Sequence, residues 1–379
     1  MKSRYLFYFC DGIGSVFDSQ VLTLLNSIND KDVFSKVYLF LGISSEEQKN
    51  KYLKIKSSAG IKIVPFKSYP NYPVFNYLNR KSIKAALSLQ SIDLNEVIFH
   101  TRGELTAWHL SSILESRYHK HIIPDIRGAS IEEIEEFYDM NKLQKFVKTY
   151  NNKMALQNLN RFVKMSVVSG SLKEYLVNNY SVNPEKIFIT PSLAGKDFTF
   201  NEQLRKKVRN ELNLNEKDLL IVFSSGGTAN WQNNDSLTWL ADKGFKVLNL
   251  SKKEIRHTNI INKFVSYSEM PEYLNAADCA IIWRDKSIVN EVASPVKFSE
   301  YICCGLPVIS NASVNLIKDY LEKEDYGLII NSLDELNLIK LQKLKLNDRN
   351  STSQRGILKF GVDAITTSYL TIYSSISNL

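Results

Sequence analysis

Short apolar runs alternate with helical stretches along most of this sequence, and that alternation limits the chain to few folds. An apolar run at 4–10, a glycine-containing turn and apolar residues at i, i+3 and i+4 spacing over 16–28 predict a strand, a turn and a helix. Further apolar runs of strand length lie at 36–42, 61–66, 95–103, 121–128 and 166–170. Strands that alternate with helices favour a parallel sheet covered by helices on both faces.

The same pattern restarts near residue 187, and a chain of 379 residues is long enough for two domains. Strands are predicted at 186–192, 218–227, 245–251, 279–284, 306–310 and 326–330, and the tail from about 353 is predicted to be helical. We therefore predict an α/β protein with two Rossmann-like domains that face a cleft. Ligands of such sheets lie at the carboxyl ends of the strands.

Two acid-free stretches carry much of the net charge of +8. One runs from Lys51 to Ile92, with aromatic residues among its lysines, and the other runs from Met140 to Leu172. An anionic lipid surface gains roughly 1 kcal/mol per nearby basic residue, and nucleic acid also attracts such patches. Composition alone leaves three readings open: a membrane surface, nucleic acid or a plain solvated face.

The four cysteines, Cys10, Cys279, Cys303 and Cys304, have the spacing of neither a zinc site nor a disulfide framework. This favours reduced thiols and a cytoplasmic location. No run of 18 or more apolar residues occurs, so no transmembrane helix is predicted. The apolar run near the N-terminus lacks a small-residue cleavage site, and we interpret it as a first buried strand rather than a secretory signal.

Charged residues and glycines follow the predicted strands of the second half. Gly226 and Gly227 would let the backbone approach a ligand, and Arg284 with Lys297 would offset the two charges of a diphosphate. Glu300, one helical turn after Lys297, could accept hydrogen bonds from the vicinal hydroxyls of a ribose. The alternative is a Lys–Glu surface pair, which stabilises a helix by only about 0.2–0.5 kcal/mol.

In the first half, Arg102 and His109 follow one predicted strand, and Asp125 and Arg127 follow the next. All four are predicted to be cleft residues, although a lone histidine such as His109 is more often a satisfied structural residue. A charged residue such as Arg127, between a buried strand and a glycine, needs a partner.

A predicted helix begins at Ser130, with Glu133 three residues later as in a capping box. Its acids are expected to cap and solvate it, and the alternative is that one of them binds an acceptor. These acids are Glu132, Glu133, Glu135 and Glu136.

The run ADCAIIWRDKSIVNEVASPVKFSEYICCGLPVIS at 277–310 resembles the donor-site signature of GT-B glycosyltransferases, especially the retaining family 4. In that signature an aspartate precedes an apolar strand, and a variable loop and a K-x-x-E-x-x-x-x-G-x-P-V-I block follow. MPEYLNAAD at 270–278 resembles the helix before the donor strand. The segment 167–198 resembles the stretch that leaves the acceptor domain, and FSSGGTANWQN at 223–233 resembles the loop under the diphosphate.

The resemblance implies two Rossmann-like domains with distinct tasks. Residues 1–188 would bind the acceptor, residues 189–355 would bind the donor, and a C-terminal helix at about 356–379 would cross back to the first domain. Lys297, Arg284, His109 and Arg127 would be catalytic. The other implied donor-site residues are Gly12, Gly14, Gly226, Gly227, Asn290 and Glu300, and the acceptor side is formed by Arg102, Asp125 and Arg127.

Two departures from the family pattern concern donor choice. The first of two glutamates usual in the family falls on Val292, with Glu291 beside it, so its contact to the sugar is expected from Asn290 or from backbone amides. Trp231 and Gln232 stand where an Arg and Lys pair is usual, and Arg284 is expected to supply the missing charge.

The implied activity is transfer of a sugar from a UDP- or GDP-linked donor, with no metal and no further cofactor, to a saccharide acceptor. A lipid-linked acceptor, bacterial capsule or O-antigen synthesis and retention of configuration follow from the resemblance alone. Lys51–Lys84 would dock on an anionic membrane at its cytoplasmic face, and nucleic acid is not expected as a partner. Two alternatives remain, namely a catalytically inactive sugar-nucleotide-binding scaffold and a GT-B-fold sugar-nucleotide epimerase.

Overall fold

A computed structural model describes residues 4–55, 60–225, 235–345 and 348–377. The chain forms two compact units. Unit 1 comprises Met1–Pro191 and Thr366–Leu379, and unit 2 comprises Ser192–Ile365. Each unit is built around its own parallel sheet.

The sheet of unit 1 has seven strands in the order β3-β2-β1-β4-β5-β6-β7, and each neighbouring pair is parallel. The strands are β1 (Tyr5–Cys10), β2 (Lys36–Ile43), β3 (Ile61–Lys67), β4 (Val97–Arg102), β5 (Ile122–Ile126), β6 (Met165–Val167) and β7 (Ile187–Ile189). Parallel neighbours require crossover connections, and helices supply most of them. These are α1 (Thr23–Asp30), α2 (Glu46–Tyr52), α3 (Asn76–Ser88), α4 (Glu104–Ile113), α5 (Ser130–Phe137), α6 (Lys142–Gln157) and α7 (Gly170–Tyr180).

The sheet of unit 2 has six strands, all parallel, in the order β10-β9-β8-β11-β12-β13. They are β8 (Leu220–Ser224), β9 (Lys246–Leu250), β10 (Ile260–Asn262), β11 (Cys279–Ile282), β12 (Val308–Ser310) and β13 (Gly327–Ile329). The helices are α8 (Glu202–Glu211), α9 (Asp235–Asp242), α10 (Met270–Ala276), α11 (Ile288–Glu291), α12 (Val296–Cys303), α13 (Asn315–Glu324), α14 (Leu338–Lys345), α15 (Arg349–Phe360) and α16 (Val362–Ser377), which ends in unit 1.

Short helical segments of other types complete both units. A π-helix covers Asp18–Leu22, and 3₁₀ segments cover Pro73–Phe75, Leu94–Glu96, Ser116–His121, Leu159–Arg161, Pro184–Lys186 and Leu333–Glu335. No helix in the described ranges has the length and apolar composition needed to cross a membrane.

Side chains of the strands in unit 2 alternate between two apolar cores. Leu220 and Val222 belong to one core, whereas Ile221 and Phe223 belong to the other. Successive side chains of a strand point to opposite faces, so the sheet is covered by apolar packing on both sides. This confirms the α/β class expected from the near-continuous apolar strands.

The strand order reverses once in each sheet, at β1/β4 in unit 1 and at β8/β11 in unit 2. Crossovers leave such a point in opposite directions, which opens a crevice at the carboxyl ends of the two central strands. Candidate ligand sites are therefore expected at the ends of these four strands.

The structure corrects three local predictions. The tail is two helices rather than one, because the chain is extended at Gly361, where Val362 N donates to Ala194 O at 2.9 Å. The edge strand β10, only three residues long, was not predicted. Ser130 is the first helical residue and not the N-cap, and its hydroxyl donates to Glu104 rather than closing a capping box.

Asp278, the residue before β11, is the centre of a buried hydrogen-bond network in unit 2. Its carboxylate accepts from Arg205 Nη2 at 2.7 Å, from Arg209 Nη1 at 3.3 Å and from Leu220 N at 2.8 Å. Because α8 carries both arginines, this one carboxylate ties α8 to the start of β8 and β11.

We expect Asp278→Ala to lower the free energy of unfolding of unit 2 by about 3 kcal/mol or more, because two buried guanidinium groups lose their counterion. Urea titration followed by tryptophan fluorescence measures this, since Trp239 and Trp283 belong to unit 2. The control is Glu272→Ala, which breaks an exposed ion pair with Lys207 and should change the stability far less, because water screens exposed ion pairs. Equal losses for the two variants would contradict the structural role of Asp278.

Candidate nucleotide-sugar site

The candidate site of unit 2 lies where β8 and β11 end and α12 begins. A cavity there is lined by Ser224 at the end of β8, by Trp283 and Arg284 after β11, and by Lys297 and Tyr301 of α12. The position coincides with the reversal of strand order. The sequence-predicted residues Arg284 and Lys297 therefore share one cavity.

The Lys297–Glu300 pair is buried rather than solvated. Lys297 Nζ donates to Glu300 Oε2 at 2.7 Å, and the side chains are 19% and 0% exposed, respectively. Burial raises the pKa of Glu300 and Lys297 opposes the rise. A weak surface pair, the alternative left open by the sequence, does not describe this arrangement.

Glu300 retains an unused acceptor. Its Oε1 is buried and has no hydrogen-bond partner among the residues that the structure describes. A buried carboxylate oxygen without a donor is costly, at about 1–3 kcal/mol. A ligand that brings a hydroxyl donor to Oε1 would remove that cost.

Arg284 is held beside the cavity by the following loop. Its Nη1 donates to Asn290 Oδ1 at 3.1 Å, and Asn290 Nδ2 donates to Asp285 O at 2.9 Å. Within the described ranges, the buried Arg284 Nε has no partner. Burial lowers the pKa of Arg284 to about 10, so the guanidinium stays charged near neutral pH.

Asn290 therefore orients a cation, a role that the sequence did not indicate. Asn290 is 1% exposed, and both the oxygen and the nitrogen of its side-chain amide already make hydrogen bonds. Val292, at the position of the first family glutamate, is buried at 4% exposure. The expected sugar contact by Asn290 stays a prediction, and it would require the amide to leave Arg284 or Asp285.

Tyr301 links α12 to the end of β8. Ser224 N donates to Tyr301 OH at 2.8 Å, and the two hydroxyls lie 2.9 Å apart. The tyrosine thereby fixes the helix that carries Lys297 and Glu300. Cys303 and Cys304 follow it and are fully buried in the core.

Part of the predicted diphosphate loop is outside the described residues. Gly226, Gly227, Trp231 and Gln232 all belong to this part of the chain. In unit 1, Gly12 follows β1 with a φ of +106°, and Ile13 N donates to Gln48 Oε1 at 2.6 Å. Gly14, two residues later, has open space where a side chain would project.

A buried polar cluster occupies the carboxyl ends of β4, β5 and β6 in unit 1. Arg127 Nη1 and Ser166 Oγ both donate to Asp125 Oδ1, at 3.4 and 2.9 Å, and His100 Nε2 lies 3.7 Å from Asp125 Oδ2. Burial by itself raises the pKa of Asp125, but the charges of Arg127, His100 and Arg102 outweigh it and hold the pKa well below its ordinary value.

Helix α16 supplies the rest of this cluster. His100 Nδ1 and Tyr373 OH are 2.6 Å apart, and Arg127 Nη1 donates to Tyr369 OH at 3.4 Å. Neither tyrosine was predicted from the sequence, because each lies more than 240 residues from its partner. The available signal was their i, i+4 spacing, which places them on one face of the tail helix.

The predicted residues of unit 1 do not all meet. Arg102 ends β4, where Tyr8 and Asp125 raise its pKa although burial alone would lower it. His109 is not at a strand end as expected. It lies in the second turn of α4, buried beside the Trp108 ring, and burial and the charge of Arg80 lower its pKa to about 4.

The acids at the start of α5 are partly engaged within the protein. Tyr175 OH donates to Glu132 Oε2 at 2.7 Å. Burial, with Glu104 and Glu132 close by, raises the pKa of Glu133 to about 7. Among the described residues of both units, no group of three or more His, Cys, Asp or Glu side chains could hold a metal ion.

We expect Glu300→Gln to remove a pH-dependent cost. The pKa of Glu300 in the folded state is raised above 4.5, its ordinary value. The free energy of unfolding therefore falls as pH rises from 4.5 through the raised pKa, and it stays at the lower value at higher pH. The variant should therefore be more stable than wild type at pH 8, by about 1 kcal/mol, and the difference should shrink near pH 4. Chemical unfolding at both pH values measures this, and a constant difference would refute the assignment.

No protein-family model matches the sequence, and no curated protein matches it. Solved structures do match. A sucrose-phosphate synthase from Thermosynechococcus elongatus aligns with a TM-score of 0.70 at 13% identity, over 99% of each chain.

Two further structures align over 99% of this chain and 100% of their own. WaaG, a glycosyltransferase involved in lipopolysaccharide biosynthesis, has a TM-score of 0.66 at 14% identity. Anabaena HepE in complex with UDP has a TM-score of 0.66 at 12% identity. These similarities confirm the predicted architecture: the chain has the GT-B fold of these glycosyltransferases.

Proposed function

We propose that the protein is a glycosyltransferase that moves a sugar from a nucleotide-sugar donor to a saccharide acceptor. One observation carries this proposal: Lys297 and Arg284 line one cavity at the carboxyl ends of β8 and β11. The GT-B fold supports it, because its ligands bind at such strand ends.

The proposed chemistry places the donor diphosphate between Lys297 and Arg284. Negative charge develops on the diphosphate as the glycosidic bond breaks, and cations that are already in position stabilise it without rearrangement. The N-terminus of α12, which begins at Val296, adds a partial positive charge. No protein nucleophile, metal or further cofactor takes part in this proposal.

Glu300 is proposed to hold the nucleotide ribose. The unpaired Oε1 and the Lys297-bound Oε2 can together accept hydrogen bonds from two vicinal hydroxyls. Those hydroxyls favour the charged carboxylate, so binding would lower the raised pKa of Glu300. UDP and GDP carry the same ribose and diphosphate, and UDP is the ligand named for HepE.

The acceptor is assigned to unit 1, with Arg127 as the residue that reaches it. The Arg127 side chain is 18% exposed, whereas Asp125 is 1% exposed and its Oδ1 accepts from both Arg127 and Ser166. Asp125 would therefore position Arg127 rather than touch a saccharide. We also propose retention of configuration, in which the acceptor hydroxyl attacks from the face that the diphosphate leaves and its proton passes to that diphosphate.

We place the reaction in the synthesis of a bacterial surface polysaccharide on a lipid-linked acceptor. The similarity to WaaG, a glycosyltransferase involved in lipopolysaccharide biosynthesis, supports this pathway class. An enzyme that uses such an acceptor must act at the cytoplasmic face of a membrane. We propose that the acid-free Lys51–Lys84 segment makes the electrostatic contact with that membrane. Lys56, within that segment, lies outside the described residues.

We expect Lys297→Ala to weaken binding of UDP or GDP by about 10- to 100-fold, since a charge-assisted hydrogen bond contributes about 1.5–3 kcal/mol. Binding of the matching nucleoside, which has no phosphate, should change little. Isothermal titration calorimetry measures both affinities. The same variant should lose transfer activity while keeping its fold.

Lys286→Ala is the matched control, because Lys286 is exposed in the loop that follows β11 and its substitution removes the same charge. Equal effects of the two substitutions would reject the proposed diphosphate contact. Release of free nucleotide with a lipid-linked saccharide, followed by mass spectrometry, separates a transferase from a nucleotide-binding scaffold. A protein that binds nucleotide but never extends an acceptor would be the scaffold.

A further inference from the structure

Helix α6 presents large apolar side chains to solvent. Leu143, Phe146 and Tyr150 are 72%, 69% and 52% exposed, which is unusual for three large residues on one helix of a water-exposed surface. They are spaced i, i+3 and i+7, so they form a single stripe. We call these three residues the outer stripe.

The buried face of α6 lies on the opposite side and is already occupied. Asn151, Asn152, Ala155 and Leu156 are its buried residues. At 3.6 residues per turn, the centre of this buried set is about half a turn of the helix away from the outer stripe. The outer stripe is therefore not required to attach α6 to unit 1.

Positive charge borders the outer stripe, and acidic residues are absent from this segment. Lys142 and Lys153 are exposed on α6, and the sequence from Met140 to Leu172 contains neither Asp nor Glu. An apolar helix face bordered by lysines is typical of helices that lie in the interface of a bilayer.

A neighbouring segment, which packs on the buried face of α6, also exposes apolar side chains. Asn71 Nδ2 donates to Asn152 Oδ1 at 2.6 Å and Asn76 Nδ2 donates to Asn151 Oδ1 at 2.8 Å, which fixes the start of α3 against α6. In the same segment Val74 and Tyr77 are 77% and 71% exposed. Lys81 and Lys84, on the following turns of α3, are exposed as well.

We propose that the outer stripe of α6 inserts into the interface of an anionic lipid bilayer, with the flanking lysines against its headgroups. Apolar side chains gain from leaving water, and lysines gain from anionic lipid. Nucleic acid would use the lysines but not Leu143 or Val74. A second copy packed on the same stripe would bring equal charges together.

This inference deepens the membrane contact of the proposed function. It changes the main docking element from the charges of Lys51–Lys84 to an apolar helix face. It does not depend on the transferase activity, because vesicle binding is measured without donor or acceptor. A negative result in the vesicle experiment would therefore reject the membrane contact without rejecting the proposed transferase activity, and the reverse also holds.

Flotation with vesicles tests the proposal. Wild-type protein should bind vesicles of phosphatidylcholine with about 30% phosphatidylglycerol more tightly than vesicles of phosphatidylcholine alone. Phe146→Asp should lower partitioning to the anionic vesicles at least tenfold. Phe264→Asp is the matched control, because Phe264 is 61% exposed on unit 2, and it should bind like wild type.

Activity on a water-soluble acceptor should be the same for Phe146→Asp and wild type. A circular dichroism spectrum equal to that of wild type shows that the variant folds. As a second approach, Phe146→Cys can be labelled selectively with the fluorophore NBD, because the four native cysteines are buried. Its emission should shift to the blue on anionic vesicles, whereas a label at Phe264→Cys should not respond.

Three results would overturn the proposal. One is the absence of vesicle binding by wild-type protein, and another is binding with no emission shift at position 146. The third is a dimer of wild-type protein in light scattering that Phe146→Asp converts to a monomer while vesicle binding is unchanged. That result would assign the outer stripe to contact between two copies.

Discussion

Parallel strand pairing is the constraint on which the rest of this structure depends. Every strand pair in both sheets is parallel, so each strand is followed by a crossover connection and all strands of a sheet end at the same edge. Helices then begin at that edge, and their N-termini carry partial positive charge. In unit 2 the reversal of strand order between β8 and β11 opens the sheet beside α12, where Lys297 and Arg284 line a cavity.

The candidate site is arranged for ligand binding at a cost to stability. Glu300 is buried with one oxygen unpaired among the described residues, and burial raises its pKa. Asp278, by contrast, accepts from two arginines and a backbone amide. Both carboxylates are buried in the same unit. They differ in their hydrogen bonds. The Asp278 carboxylate accepts all of its hydrogen bonds from the protein, whereas Glu300 Oε1 is available to a hydroxyl donor of a ligand.

The sequence was most informative where local pattern decides structure. Apolar runs identified twelve of the thirteen strands in the described residues but not β10, whose two isoleucines lie between Asn259 and Asn262 and form no longer apolar run. Lys297 and Glu300 were found because their i, i+3 spacing lies within one helix. Tyr369, Tyr373 and the orientation of Arg284 by Asn290 were not found, since these contacts depend on tertiary packing. His109 was assigned to a strand end because the helix that follows Gly103, α4, was not predicted.

The central claim is that cations at the strand-to-helix junction of unit 2 bind a nucleotide diphosphate. A crystal structure of the protein with UDP or GDP tests it most directly. The account predicts phosphate oxygens within hydrogen-bond distance of Lys297 Nζ and the Arg284 guanidinium, and ribose hydroxyls on the Glu300 carboxylate. A nucleotide whose phosphates bind elsewhere, with Lys297 still paired only to Glu300, would contradict it.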